Sequence, residues 1–139
     1  MEGLQGAILG VKLRHLERWN EARRAHARQY RELLAGSELQ LPVESHEVRH
    51  IYHAFTVRSS ERDALQKSLA AAGVQTAIHY PIPVHLQPAY SDLGYKNGDL
   101  PHAERAAKEV LSLPIFPEMT QAQLSEVANA IHAASATMI

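Results

Sequence analysis

Apolar residues in the first third of the chain recur at helical spacing. Leu4, Ile8, Val11, Leu16, Trp19, Tyr30 and Leu33 follow one another with alanines between them and no proline. That pattern predicts one long helix from Met1 to about Leu34 with a single buried stripe. Gly36 is placed to end it. Ser37 to Arg49 is a polar connection containing Pro42, and Ile51 to Val57 is rich in strand formers. Ser60-Glu61-Arg62-Asp63 resembles a helix cap, and the helix it opens carries Leu65, Leu69 and Ala72 on one face before Gly73. Val74 to His79 predicts a second short strand. Pro101 suits the first position of a helix bearing Ala103, Ala106, Ala107 and Val110. Leu111 to Ile115 predicts a third strand. Thr120 and Gln123 form a capping box ahead of a last helix with Leu124, Val127 and Ile131. The expected fold is α+β, a two-layer α/β domain of about three short strands packed against helices, with sheet order unread.

Two features depart from this regular alternation. The long helix begins without a Ser, Thr, Asp or Asn cap and carries Gly3, Gly6 and Gly10 near its start. Each interior glycine costs roughly 1 kcal/mol relative to alanine, so this end reads as a helix that needs support from upstream. The other feature is the run His79-Tyr80-Pro81-Ile82-Pro83-Val84-His85-Leu86-Gln87-Pro88-Ala89-Tyr90. Proline fixes φ, removes a donor and pushes the residue before it toward extended geometry. Tyr80, Ile82 and Gln87 are therefore expected to be extended, in a stiff track that aims polar rings in set directions. Such loops at strand ends are common sites of ligand contact, although the same residues could simply brace a connection.

Composition narrows the classes. The chain has 139 residues, 45% hydrophobic and 21% charged, as a single globular domain would. A net charge of −1 gives no whole-molecule argument for nucleic acid or membrane. Arg23, Arg24, Arg28 and Arg31 make the first helix locally basic, but with no recognition motif beside them they read as a solvated face. Cysteine is absent, no run is long enough to span a membrane, and no signal-peptide core is visible, which makes the cytoplasm the expected location. Nine histidines raise the question of a metal, but His46, His50 and His53 do not have a zinc-ligand spacing, and none is expected. Neither a phosphate-binding glycine loop nor a Ser/His/Asp pattern stands out. The residues alone thus offer a ligand-facing track without a reaction centre.

A family resemblance adds what spacing does not. Met1 to Leu9 with Val11-Lys12-Leu13, Tyr52-His53-Ala54-Phe55, the track from Ile78 to Tyr90, Leu93-Gly94-Tyr95 with Gly98-Asp99, and Ser112 to Thr120 resemble the DegT/DnrJ/EryC1/StrS family. These are PLP-dependent aminotransferases of nucleotide-linked keto sugars, serving amino-sugar, polysaccharide or antibiotic-sugar biosynthesis. The resemblance implies the small C-terminal domain of the type I aminotransferase fold, with residues 1–35 as the interdomain helix and 50–139 as an α/β sandwich. It implies that the large PLP-binding domain lies outside this sequence, so that Met1 is expected to be a boundary within a longer parent. Lys12, Lys67, Lys96 and Lys108 match no Schiff-base motif of the family. The chain alone is therefore expected to bind no pyridoxal phosphate and to be inactive. By the same resemblance His79 and Tyr80 are substrate-contact candidates, with His85 and Gln87 as more remote ones, and His53 reads as structural. The implied partners are a nucleotide sugar and a second copy in a homodimer, with no nucleic acid or membrane. The alternative is a stand-alone binding or oligomerisation module that kept the fold and lost the chemistry.

Overall fold

The computed structural model describes residues 2–137. Helix α1 spans Gly3–Leu33, and the chain then crosses a long connection to strand β1, Phe55–Arg58. Helix α2 is Arg62–Ala71, α3 is Pro101–Glu109, strand β2 is Val110–Leu113 and α4 is Gln121–Thr137. Local chemistry marks the ends as the sequence suggests. Gly36 and Gly73 take φ values of 81° and 80°, a region in which glycine alone escapes a steric penalty. The Thr120 N–H donates to Gln123 Oε1 at 2.9 Å, and the Gln123 N–H donates to Thr120 Oγ1 at 3.3 Å. The expected Ser60 cap is not made; the Glu61 N–H instead donates to Ser59 Oγ at 3.2 Å. The start of α1 is less bare than its composition suggests, because the Glu2 N–H donates to Gln5 Oε1 at 3.2 Å.

The fold is α+β, built on a two-stranded antiparallel sheet with Phe55 opposite Leu113 and Thr56 opposite Ser112. Side chains alternate across a strand. Phe55, Val57, Leu111 and Leu113 therefore face one way, where Ala27 and Tyr30 of α1, Leu65 and Leu69 of α2, and Leu124 and Ile131 of α4 cover them. The opposite face is polar, with Thr56, Ser112 and the Arg58–Glu109 ion pair.

Two of the expected strands are corrected. The first strand is shorter than Ile51–Val57 because Tyr52 adopts φ 47°, which breaks extension. The strand expected at Val74–His79 shrinks to one bridge, in which Ala77 exchanges backbone bonds of 3.1 and 2.7 Å with Ser112. Two residues further along this antiparallel register Gln75 would need a donor from Pro114, and proline has none. Gln40 makes a matching single bridge to Arg58 on the other edge.

The apolar stripe of α1 is not buried along its length. Its C-terminal half packs into the core, and the Tyr30 hydroxyl donates to the Pro114 carbonyl at 2.8 Å. Its N-terminal half does not: Leu4, Ile8, Leu9, Val11, Leu13 and Leu16 are all exposed, Leu4 by 73% and Leu13 by 68%.

The middle of α1 is tied to the connection by a polar clamp. Arg24 Nη1 donates to Glu44 Oε1 at 2.5 Å and to the His50 carbonyl at 2.6 Å. Arg31 donates to the Tyr52 hydroxyl at 2.6 Å, and that hydroxyl donates to Glu44 Oε2 at 3.0 Å. Arg24 and Arg31 are thus engaged within the fold rather than solvated. The Arg24 bond, followed by those from the His50 N–H and Tyr52, pulls the Glu44 carboxyl from 4.5 down to about 2. A carboxylate with a lowered folded value contributes stability above its unfolded pKa and loses it as pH falls toward the folded one. We expect the wild-type melting temperature to fall more between about pH 5 and pH 2 than that of Glu44→Gln. Parallel pH profiles for the two chains would refute this.

Candidate functional site

The polar face of the sheet leads directly to the track. After the Ala77 bridge the chain leaves the sheet at His79, whose Nδ1 lies 3.0 Å from Ser112 Oγ. Ser112 Oγ is in turn 3.0 Å from Thr56 Oγ1, across the β1–β2 pair. Ser112 is buried, whereas the His79 ring is exposed and its Nε2 has no protein partner among the described residues. A cis peptide joins His79 to Tyr80, and the two rings meet edge to face with centroids 5.5 Å apart. Tyr80 is 72% exposed, and its hydroxyl has no partner among the described residues.

His79, Tyr80, Ile82 and Val84 form one wall of a shallow groove of about 260 Å³, and Ala103 and Ala106 of α3 form the other. The small side chains of α3 leave the groove open. Its lining is largely apolar, with an imidazole and a phenol at one end, a combination suited to a ligand that has both a ring face and oxygens.

The remaining track residues turn away from this groove. His85 sits in a single-turn 3₁₀ helix, Val84–Leu86, and is buried. Its Nε2 is 3.1 Å from Glu104 Oε1. The Glu104 carboxylate also accepts the Gly98 N–H at 2.9 Å and the Leu100 N–H at 3.3 Å. Burial pushes this carboxyl up, but the Gly98, His85 and Leu100 bonds outweigh it and hold it below its ordinary range. Gln87 is extended, as its following proline requires, and its Nε2 donates to the Ile82 carbonyl at 3.3 Å. The structure therefore brings His79 and Tyr80 together on an open edge. It places His85 as a brace between the track and Glu104, and Gln87 as a brace within the track.

Ser112, Thr56 and Glu104 were not singled out by sequence reasoning. A serine between two leucines of a strand (Leu111-Ser112-Leu113) was the available signal for the first, since alternation puts it on the opposite face. An acid in the first turn of α3 was the signal for Glu104. His50 Nδ1 accepts the Tyr52 N–H at 2.9 Å, and His46 and His53 are exposed. Among the described residues no group of three His, Asp or Glu side chains is arranged to hold a metal ion. All four lysines are exposed and none lines the groove. No helix among the described residues is long and apolar enough to cross a membrane.

Comparison with known proteins identifies the family and the fold. Residues 1–132 match the DegT/DnrJ/EryC1/StrS aminotransferase family. The chain is 47% identical over 134 residues to the "Pleiotropic regulatory protein" of Geobacillus stearothermophilus, a match that covers 94% of this chain and 36% of that protein. It is 42% identical to the dTDP-3-amino-3,4,6-trideoxy-alpha-D-glucose transaminase of Streptomyces venezuelae, again over 94% of this chain and 35% of the relative. The crystal structure of S. venezuelae DesV in complex with a ketimine intermediate superimposes with a TM-score of 0.90 at 43% identity, over 94% of this chain and 36% of that one. The chain thus spans about a third of the length of the relatives it matches.

Proposed function

Because this chain belongs to the DegT/DnrJ/EryC1/StrS aminotransferase family, we propose that it forms the small C-terminal lobe of an enzyme that aminates a nucleotide-linked keto sugar. The observation that carries this reading is the open edge at His79 and Tyr80, where two hydrogen-bonding rings have polar atoms without protein partners. The exposed apolar half of α1 supports it, since that surface is the kind another lobe would cover. Similarity to nucleotide-sugar transaminases supports the substrate class.

The family is PLP-dependent, and the cofactor supplies the electron sink for amino transfer when bound. This chain's own residues do not fit the task of anchoring it. Lys12, Lys67, Lys96 and Lys108 all lie in solvent away from the groove. No step through the cofactor is therefore assigned to these residues, and the chain alone does not transaminate. Its part is to bind and orient. The Tyr80 hydroxyl and the His79 imidazole hydrogen-bond sugar or diphosphate oxygens, and Ile82 and Val84 shield one side of the ring from water.

Two measurements test this reading. Addition of PLP to the isolated chain should give no lysine-dependent aldimine absorbance, and turnover of a keto sugar by this chain alone would overturn the proposal. Titration with a dTDP- or UDP-linked sugar, followed by aromatic NMR resonances, should move His79 and Tyr80 but not His46. Half a cleft is expected to bind weakly, with a Kd on the order of 1 mM. Tyr80→Phe should weaken binding by roughly 2- to 10-fold, the loss of one hydrogen bond. No response at either ring would overturn the substrate contact. The bare face of α1 favours a second reading, a stand-alone module that pairs through that helix. Self-association in sedimentation equilibrium together with a silent sugar titration would establish the module in place of the lobe.

A further inference from the structure

The hydrogen-bond chain behind His79 determines what its exposed edge offers. Thr56 and Ser112 face each other across β1 and β2, on the side of the sheet away from the core. Their hydroxyl oxygens are 3.0 Å apart, and Ser112 Oγ is 3.0 Å from His79 Nδ1. Each hydroxyl has one proton to donate, and a neutral imidazole has one N–H and one bare nitrogen. The bare nitrogen is the strongest acceptor of the three groups. The arrangement that uses both hydroxyl protons in line runs from the Thr56 O–H to Ser112 Oγ and from the Ser112 O–H to His79 Nδ1, and successive bonds in that direction polarise one another. The ring nitrogen that carries the proton is set by the bond the other nitrogen makes.

We infer that Ser112, backed by Thr56, is a positioning residue that holds His79 as the neutral Nε2–H tautomer, so that the groove presents a hydrogen-bond donor to an acceptor oxygen of the sugar nucleotide. The identity of that ligand rests on the function proposed above; the tautomer does not. Ser112 is 5% exposed, its backbone N–H and C=O are both bonded to Ala77, and it stands opposite Thr56 of β1, so its hydroxyl is a fixed reference point for the ring. An acceptor oxygen, whether of a diphosphate, a keto group or a hydroxyl, fits a donor at Nε2. A ligand group that can only donate does not.

Long-range proton–nitrogen correlation on the 15N-labelled chain at about pH 9, above the ordinary imidazole range, reads the tautomer directly. His79 should show a pyridine-type Nδ1 and a pyrrole-type Nε2. The exposed His53, whose ring has no partner among the described residues, serves as the unconstrained reference. Ser112→Ala should bring the His79 pattern to that of His53, and Ser112→Thr, which keeps the hydroxyl, should restore it. A protonated Nδ1 in the wild type, or a His79 pattern equal to that of His53, overturns the inference. If Ser112→Ala fails to fold, the wild-type spectrum alone decides. Dependence on the sugar reading is resolved by the titration. A ring locked as described but unmoved by nucleotide sugar refutes the ligand and leaves the tautomer. A ring that responds to nucleotide sugar with Nδ1 protonated refutes the tautomer and leaves the ligand.

Discussion

Phe55→Ala is expected to lower the melting temperature by about 10 °C or more. Phe55 is fully buried at the start of β1, with the Tyr30 ring centroid 5.0 Å away and that of Tyr52 6.1 Å away. It is the point where α1, the incoming connection and the sheet meet. Truncating a buried phenylalanine costs about 3–5 kcal/mol in lost transfer energy and cavity, against a total stability of about 5–15 kcal/mol for a domain. In a chain of this length each kcal/mol moves the midpoint by roughly 3–4 °C. The control is Val43→Ala, at a side chain 89% exposed, which should change stability by no more than about 0.5 kcal/mol. Thermal melts of the two variants decide the matter. A fall under about 3 °C for Phe55→Ala would mean that the core is not centred on this aromatic cluster. The loss should also reach the site. Phe55 is next to Thr56, so loosening its anchor frees the hydroxyl that backs Ser112 and His79.

The parts of this fold that were legible in the sequence are those decided by local chemistry. Gly36, Gly73, Pro101 and the Thr120–Gln123 pair act within a few residues, and the elements end where those residues place them. The stiff character of the 79–90 track was legible for the same reason, because each proline constrains only its neighbours. What was not legible depends on residues far apart. The shortening of Val74–His79 comes from the missing N–H of Pro114, which matters only once Ala77 is known to face Ser112. The bend at Tyr52 accompanies a bond from Arg31 to its hydroxyl and one from that hydroxyl to Glu44, on other parts of the chain. At the site, the two exposed rings follow from the track itself. The inward turn of His85 depends on Glu104, nineteen positions later, and the orientation of His79 depends on Ser112, thirty-three later. Periodicity correctly found the apolar stripe of α1, but a period says which side of a helix is apolar and not what stands opposite.

That last gap has a measurable consequence: amide exchange in α1 is expected to differ by about 1,000-fold or more between its two halves. Ala27 and Tyr30 are fully buried, and the amides around them should open only with the whole domain. Even a global stability of about 5 kcal/mol corresponds to more than three decades of protection. Residues 4–13 have no such support. Leu4, Leu9 and Leu13 are 73%, 53% and 68% exposed, and Gly6 and Gly10 each cost roughly 1 kcal/mol in a helix interior. A helix without packing is marginal in water, so this half should open locally at almost no cost. The boundary should fall near Glu17 and Glu21, where both carboxylates pair with Arg49 and the Trp19 side chain begins to be covered. The ion pair itself is exposed and contributes little, so the step in protection should track the apolar packing beyond it. A Cβ added at Gly6 or Gly10 meets nothing within 4 Å. Gly6→Ala and Gly10→Ala should therefore each slow exchange around them by up to about fivefold in the isolated chain. Under the proposed lobe arrangement, the surface that covers this face supplies the missing packing, and slow exchange should spread to residues 4–13 only when it is present. Uniform protection along α1 in a dilute monomer would contradict that arrangement, and protection that rises with chain concentration would show a second copy taking its place.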